Sequence, residues 1–315
     1  MTPAVPRLAA VDVHKRYGSR SALAGVSVAV GAGEIVGLLG PNGAGKTTML
    51  SILATIVAPD AGHVAIDGVP ARAGARIGLV PQSLALYPRL TVSQNLWHFA
   101  RMQGLGRREA RSACPRVLAA VGLLERAHDP AMSLSGGMQR RLNLACGLVH
   151  EPRVLLLDEP TVGVDLESRD WLLAEVRRAR AAGTAVVYST HYMEEAERIC
   201  DRVCLIDRGR LVADGPVDEI VARARRGTRV DLTYRGVLAG DWDRELSAHG
   251  IRVLPSAAGN GRLSFELPGH AELGRVLDGV RSAGACVLDV SLHTANLADA
   301  FVALTGRSLD EDADA

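Results

Sequence analysis

Apolar residues fall in short runs separated by glycine, and their spacing alternates between strand-like and helix-like along most of the chain. Residues 7–13 and 22–30 ("ALAGVSVAV") alternate or run apolar and predict strands, with turns at Gly18 and at Gly31-Ala32-Gly33. "EIVGLLG" (34–40) predicts a short buried strand leading straight into a glycine-rich turn, and "KTTMLSILATIV" continues as a helix. Two further strands, "GHVAIDG" and "RIGLVPQ", fall within 59–82. From about 91 to 128 the spacing becomes helical, with interruptions expected at Gly104-Leu105-Gly106 and at Pro115. After a helix over about 136–149 comes "RVLLLDEP" (153–160), a continuous apolar strand of the kind covered on both faces in a parallel sheet. A helix at 167–182, the strand "TAVVYST" and a helix at 193–201 keep the alternation going, and "RVCLIDRGRLVADG" predicts a hairpin turning at Arg208-Gly209.

The composition shifts at "ARARRGTR" (222–229). This basic run predicts a domain boundary, with 223–229 as a solvated linker or, alternatively, a lipid-facing patch. Over 230–305 the predicted order is β-α-β-β-α-β, the ferredoxin-like pattern, followed by a last helix near 296–304. Residues 306–315 form an acidic tail expected to be disordered.

Composition narrows the function classes. With 48% hydrophobic and 23% charged residues the chain is an ordinary globular protein, and 3% aromatics leave its cores to Leu, Val, Ile and Ala. A formal net charge of +1 gives no long-range pull toward nucleic acid, which is not expected as a partner. The five cysteines form no C-x-x-C pair and are expected as small buried residues in a reducing compartment. No charged start followed by an apolar block marks a secretory signal. No run reaches the roughly 20 apolar residues of a membrane-spanning helix.

Three stretches carry chemistry. "GPNGAGKT", comprising Gly40, Pro41, Asn42, Gly43, Ala44, Gly45, Lys46 and Thr47, fits G-x-x-x-x-G-K-[ST] between a strand and a helix. Its backbone N–H groups can wrap phosphates, Lys46 can reach the β- and γ-phosphates, and the Thr47 hydroxyl can ligate Mg²⁺. "VLLLDEP" ends a buried strand in adjacent carboxylates, Asp158 and Glu159, one suited to a cation and the other to activating water. "SLSGGMQRRLNLACGLVH" (133–150) opens a helix with serine and two glycines, the construction of an anion site, yet contains no lysine among its glycines and follows no strand.

With these residues in view, the chain resembles the nucleotide-binding subunit of an ATP-binding cassette (ABC) transporter over about residues 7–220. The resemblance implies a P-loop NTPase (RecA-like) core with antiparallel β and helical subdomains, the latter at about 88–150, within an ATPase domain over 1–222. A small α+β ferredoxin-like domain then follows. It implies ATP and Mg²⁺ as cofactors, held by Gly40 to Thr47 with Thr48, and with Thr47, Gln82 and Asp158 at the metal. Glu159 matches the catalytic base, His191 the histidine that contacts the γ-phosphate, and Gln82 the glutamine that senses Mg²⁺ and couples to the membrane partner. Tyr17 matches the aromatic that stacks on adenine. Leu134, Ser135, Gly136 and Gly137 match the signature that faces the phosphate loop of a second subunit, and Asp165 matches the aspartate that contacts that subunit. The residues just before Asp165 depart from the commoner family wording, and Met138 stands where many relatives have glutamine.

The family further implies a homodimer of ATPase subunits on a separate permease, at the cytoplasmic face of the plasma membrane. "LALYPRLTVSQNLWHFARMQGL", with Tyr87, Trp97 and Phe99, is a permease contact over about 82–105 or else ordinary helical core. "GLVPQSLALYPRLTVSQNL", the Met of "LSGGM" and the closing "LADAFVALTGR" resemble cassettes of bacterial drug, antibiotic and lipid exporters. An importer subunit and a soluble ABC ATPase are the alternatives.

Overall fold

The structure is a computed structural model that describes residues 5–71, 76–224, 228–238, 242–254, 261–268, 272–293 and 295–307. The chain begins with the hairpin β1 (Leu8–Tyr17) and β2 (Arg20–Val30), then β3 (Ile35–Leu39) and α1 (Lys46–Leu53). Next come β4 (Ala61–Ile66), a two-residue strand β5 (Val69–Pro70) and β6 (Ile77–Val80). Helices α2 (Val92–Met102), α3 (Arg107–Ala120) and α4 (Gly136–Leu148) precede β7 (Val154–Asp158). The alternation closes with α5 (Leu166–Ala181), β8 (Ala185–Thr190), α6 (Met193–Ile199), β9 (Arg202–Asp207) and β10 (Arg210–Pro216).

One sheet has the order β2-β1-β4-β5 and is antiparallel. The other runs β10-β9-β3-β8-β7-β6, parallel except for β10. All residues of β3, β7 and β8 are buried, as their unbroken apolar runs require of strands covered on both faces. On one face Leu38, Val187 and Ile206 pack with Met49 and Leu53 of α1 and with Leu8, Val13 and Val28 of the antiparallel sheet. On the other, Leu155, Leu157, Val186 and Tyr188 meet Leu172, Leu173 and Val176 of α5. The β9–β10 hairpin turns at Arg208 and Gly209 with φ of 48° and 73°, a geometry suited to the twist of the flanking strands.

Helices α2, α3 and α4 form their own core around Leu96, Ala100, Cys114, Leu118, Leu142 and Ala145. Here the expected break at Pro115 does not occur, since α3 runs through it. Proline removes one helical hydrogen bond, but burial of Ala110, Ala113, Cys114 and Leu118 along one face holds the helix together.

The chain divides into two compact units, the second spanning Asp218–Leu304. It contains α7 (Val217–Ala224), β11 (Thr228–Arg235), α8 (Trp242–Ala248), β12 (Arg252–Leu254), β13 (Arg262–Leu267), α9 (Leu273–Ser282), β14 (Cys286–His293) and α10 (Leu297–Thr305). The sheet order β12-β13-β11-β14, antiparallel throughout, is that of the ferredoxin-like fold, with Val230, Leu232, Phe265, Val276 and Val280 at its centre. The basic run expected as a linker is in part helical: its first residues close α7, and the division between units comes earlier, at Val217. Residues 225–227, and the acidic tail from 308 on, lie outside the described residues.

The cysteine expectation also needs correction. Cys114, Cys146 and Cys204 are buried, Cys200 is half-buried, and Cys286 on β14 is exposed. Burial pushes the thiols of Cys114, Cys146, Cys200 and Cys204 above the usual cysteine range, whereas Cys286 faces solvent. In a thiol titration of the native protein at neutral pH, Cys286 is therefore expected to react alone and the others only on unfolding; a Cys286→Ser protein that still reacts natively would contradict this.

Candidate nucleotide site

The parallel sheet brings the chemistry to one edge. Leu39 at the end of β3 pairs with Thr190, and Asp158 at the end of β7 pairs with Ser189, so three strands finish side by side. Their exits carry the phosphate loop, Glu159 and His191, and β6 delivers Gln82 two residues after its last residue Val80. This is the edge where ligands bind in open α/β sheets.

The loop of residues 40–45 wraps to the start of α1. Gly45 sits at φ 111°, and a Cβ there would lie 2.6 Å from the Ala22 carbonyl oxygen of β2, so only glycine fits. Pro41 and Ala44 are buried, Asn42 and Gly43 exposed, and Gly40 offers its carbonyl to Lys46. Buried Lys46 donates from Nζ to the carbonyls of Gly40 at 2.8 Å and Pro41 at 3.1 Å. The first N–H groups of α1, at Lys46, Thr47 and Thr48, have no intrahelical partner and sit at the positive end of the helix dipole.

Glu159 is where these elements meet. Its Oε1 lies 3.2 Å from both Lys46 Nζ and His191 Nδ1, and its Oε2 accepts from Gln82 Nε2 at 3.1 Å. Its φ of 43° is rare for a residue with a side chain, and such strain concentrates at functional sites. Ser189, which sequence reading passed over, holds both acids. Its hydroxyl donates to Asp158 Oδ1 at 2.7 Å and accepts from the Glu159 N–H at 3.1 Å.

A cleft of about 470 Å³ opens over this edge, lined by Asn42, Gly43, Gly45, Lys46, Thr47, Thr48, Gln82 and Glu159. Tyr17, at the end of β1, borders it with a half-exposed ring. So does Arg20, which no motif marked: it pairs across the hairpin with Tyr17 and its guanidinium donates to the Gly43 carbonyl at 3.4 Å.

The signature residues and Asp165 lie elsewhere, and none of them lines this cleft. Leu134 is buried in the helical core. Ser135 caps α4, its hydroxyl accepting from the Met138 N–H at 3.3 Å. A Cβ on Gly137 would lie 2.3 Å from Ser168 Oγ and 3.4 Å from Asp165 Oδ2, whereas one on Gly136 would meet nothing within 4 Å. Asp165 caps α5 by accepting from the Ser168 N–H at 2.9 Å, and these bonds hold its carboxyl below the usual aspartate range. The signature thus packs on the start of α5, with one glycine structural and the other open.

Residues 23–162 match the family profile for ABC transporters. The linearmycin resistance ATP-binding protein LnrL of Bacillus subtilis (strain 168) is 36% identical over 96% of this chain and 99% of its own length. The chain belongs to the ABC transporter family. A Nod factor export ATP-binding protein I from Ralstonia nicotianae is 38% identical over 96% of this chain and 95% of its own. Among solved structures, an ABC cassette dimer in a post-hydrolysis state, bound to ADP and phosphate, is similar with TM-score 0.60 and 26% identity over 66% of this chain and 98% of its own. This ABC subunit is a P-loop ATPase: it binds and hydrolyses ATP.

The helical part of the ABC cassette grips the segment that follows Gln82. Arg140 of α4 donates from Nη1 to the Gln82 carbonyl, and from Nη2 to the Val162 carbonyl at 3.1 Å. Asn143 Oδ1 accepts from the Ala85 N–H at 3.2 Å, and fully buried Asn95 of α2 accepts from the Tyr87 N–H at 2.8 Å. This sets the aromatic positions: Phe99 packs on the helical core, while Tyr87 and Trp97 are 45% and 44% exposed. Among the described residues no helix is long and apolar enough to cross a membrane.

Proposed function

We propose that two copies of this chain sandwich two ATP molecules head to tail and drive a separate permease that exports a drug, antibiotic, lipid or similar amphiphile. The observation that carries this reading is the separation within one chain of the Lys46 cleft from the Ser135–Asp165 cluster. Open Gly136, the first-turn N–H groups of α4 and its dipole suit a phosphate that arrives from outside the chain. A dimeric relative supports a dimer, and the resistance and export names of the relatives support export.

In this reading Lys46 and the N–H groups of the loop hold the β- and γ-phosphates, and Tyr17 stacks on the adenine. Glu159 takes a proton from the attacking water, with Ser189 fixing its backbone and His191 beside it at the γ-phosphate. The donor set fits Mg²⁺: Thr47, Asp158 and the amide oxygen of Gln82 are hard oxygens, and Gln82 uses its nitrogen on Glu159. When bound, the cation neutralises charge on the β- and γ-phosphates. Among the described residues no group of three or more His, Cys, Asp or Glu could hold a metal, and Thr47, Asp158 and Gln82 would hold the cation together with oxygens of the nucleotide.

The exposed rings of Tyr87 and Trp97 offer the permease an aromatic contact near residues 82–105, at the cytoplasmic face of the membrane. Arg140 links that segment to the signature helix, and burial draws its pKa below the ordinary arginine value without neutralising it. Arg140→Ala is expected to keep ATP affinity within about twofold while removing most of the stimulation of turnover by the permease. Equal stimulation in parent and variant would show that Arg140 does not couple the two.

Proteoliposomes with the permease and this chain facing outward test the function. ATP added outside should move a fluorescent amphiphile into the lumen. Movement toward the ATPase side would mean import, and ATP hydrolysis unaffected by any permease would mean a soluble ATPase.

A further inference from the structure

Behind the catalytic edge lies a second, fully buried carboxylate to which no role has been given. Glu195 on α6 is 1% exposed and is held by three hydroxyl donors and one arginine. Oε2 accepts from Thr161 Oγ1 at 2.8 Å, Tyr188 Oη at 2.8 Å and Thr190 Oγ1 at 3.4 Å. Oε1 forms an ion pair with Arg169 Nε at 2.8 Å. Burial, with Glu195 beside it, pushes the Tyr188 phenol well above the ordinary tyrosine range, so its proton stays available to donate.

Each partner belongs to a different part of the site. Thr161 is two residues beyond Glu159, at the exit of β7. Thr190 ends β8 just before His191, and its hydroxyl also accepts from the Tyr192 N–H at 2.9 Å. The Tyr192 ring lies 4.1 Å from the His191 ring and 5.9 Å from the Arg169 guanidinium. Arg169 is in the first turn of α5, where its N–H donates to the carbonyl of Asp165 at 2.9 Å. The flanking α5–α6 pair Asp170–Arg198 is exposed and holds little by itself. A buried charge with one counter-ion and three hydroxyl donors tolerates few arrangements, because any displacement leaves a charge or a polar group unpaired in low dielectric.

We propose that Glu195 is a positioning residue that holds the Asp165 end of α5 in register with the His191 turn, so that docking of the second subunit and the γ-phosphate contact are set together. This rests on the reading above that Asp165 meets the partner and His191 the γ-phosphate. Glu195 touches no substrate in this scheme. It acts through Arg169 on one side and through Thr190 on the other.

Glu195→Gln is nearly isosteric. Its amide oxygen can face Arg169 and its nitrogen the hydroxyls, so the packing survives while the charge pairing is lost. In the full-length protein it is expected to bind ATP with Kd within about twofold of the parent and to turn over about tenfold more slowly. Arg169→Gln should behave alike, and the double variant should lose no more than the slower single one, because both changes break one pair. Added to Glu159→Gln, it should raise the ATP concentration needed for dimer formation by about tenfold. Thermal melts of the same samples report folding separately.

A parent kcat in Glu195→Gln, or single losses that multiply in the double variant, overturns the proposal. So does a Glu195→Gln protein whose ATP affinity and melting temperature fall together and are not restored in the double variant, since that describes packing alone. If Glu159→Gln turns over ATP at the parent rate, the underlying reading of the site has failed instead. That one variant tells the two failures apart.

Discussion

Glu159→Gln is expected to lower ATP turnover by about a thousandfold while leaving a stable ATP-bound dimer. The substitution keeps the shape and removes the carboxylate proposed to accept the proton from water. Its electrostatic effect should favour binding, because the Glu159 carboxylate lies 3.2 Å from Lys46 Nζ and competes with incoming phosphates for that ammonium. It also removes a negative charge from the cleft proposed to receive the triphosphate. The amide can still accept from Gln82, so the loop from 82 to 91 should stay in place. Phosphate release with the reconstituted permease measures the first effect, and light scattering with and without MgATP the second. Parent-like turnover in the variant would remove Glu159 from the role of base.

The parts of this site legible in the sequence are those whose chemistry is local. Loop 40–47 needs its glycines and its lysine within one turn, and the acids at 158 and 159 end an apolar run, so spacing alone marks both. The ferredoxin-like order of the second unit was legible for a similar reason, since each element has its own period. What the sequence concealed is held together across the chain. Arg140 reaches Gln82 over 58 positions, Ser189 holds Asp158 over 31, and Glu195 holds Thr161 over 34, with no periodicity linking the pairs. Arg20 lies in a strand like its neighbours, and only the hairpin at Tyr17 turns it toward the cleft. Pro115 and the basic run after 221 misled for different reasons. At Pro115 local propensity argued against helix and the packing of α3 prevailed. Ala and Arg favour helix at 222–224, and only the run of positive charge suggested a linker.

The second large effect concerns two chains rather than one. Ser135→Arg chains and Lys46→Ala chains should each be nearly inactive alone, yet an equal mixture should recover about a quarter of the parent turnover. The arithmetic follows from a two-fold dimer in which each site joins the phosphate loop of one chain to the signature of the other. Half of randomly paired dimers are mixed, and each mixed dimer holds one site with an intact Lys46 and an intact Ser135, while its other site carries both defects. Neither change should unfold its chain. Ser135→Arg loses a cap bond to the Met138 N–H and sets a cation against the positive end of α4, but α4 stays anchored by Leu142, Ala145 and Cys146. Lys46→Ala leaves Glu159 with Gln82 and His191 as partners. The readout is turnover against mixing ratio, which should peak near equal amounts. A flat line at the level of the single variants means that Ser135 serves its own chain's nucleotide. In that case the separation of Ser135 and Asp165 from the Lys46 cleft must be closed by movement within one chain, rather than by a partner.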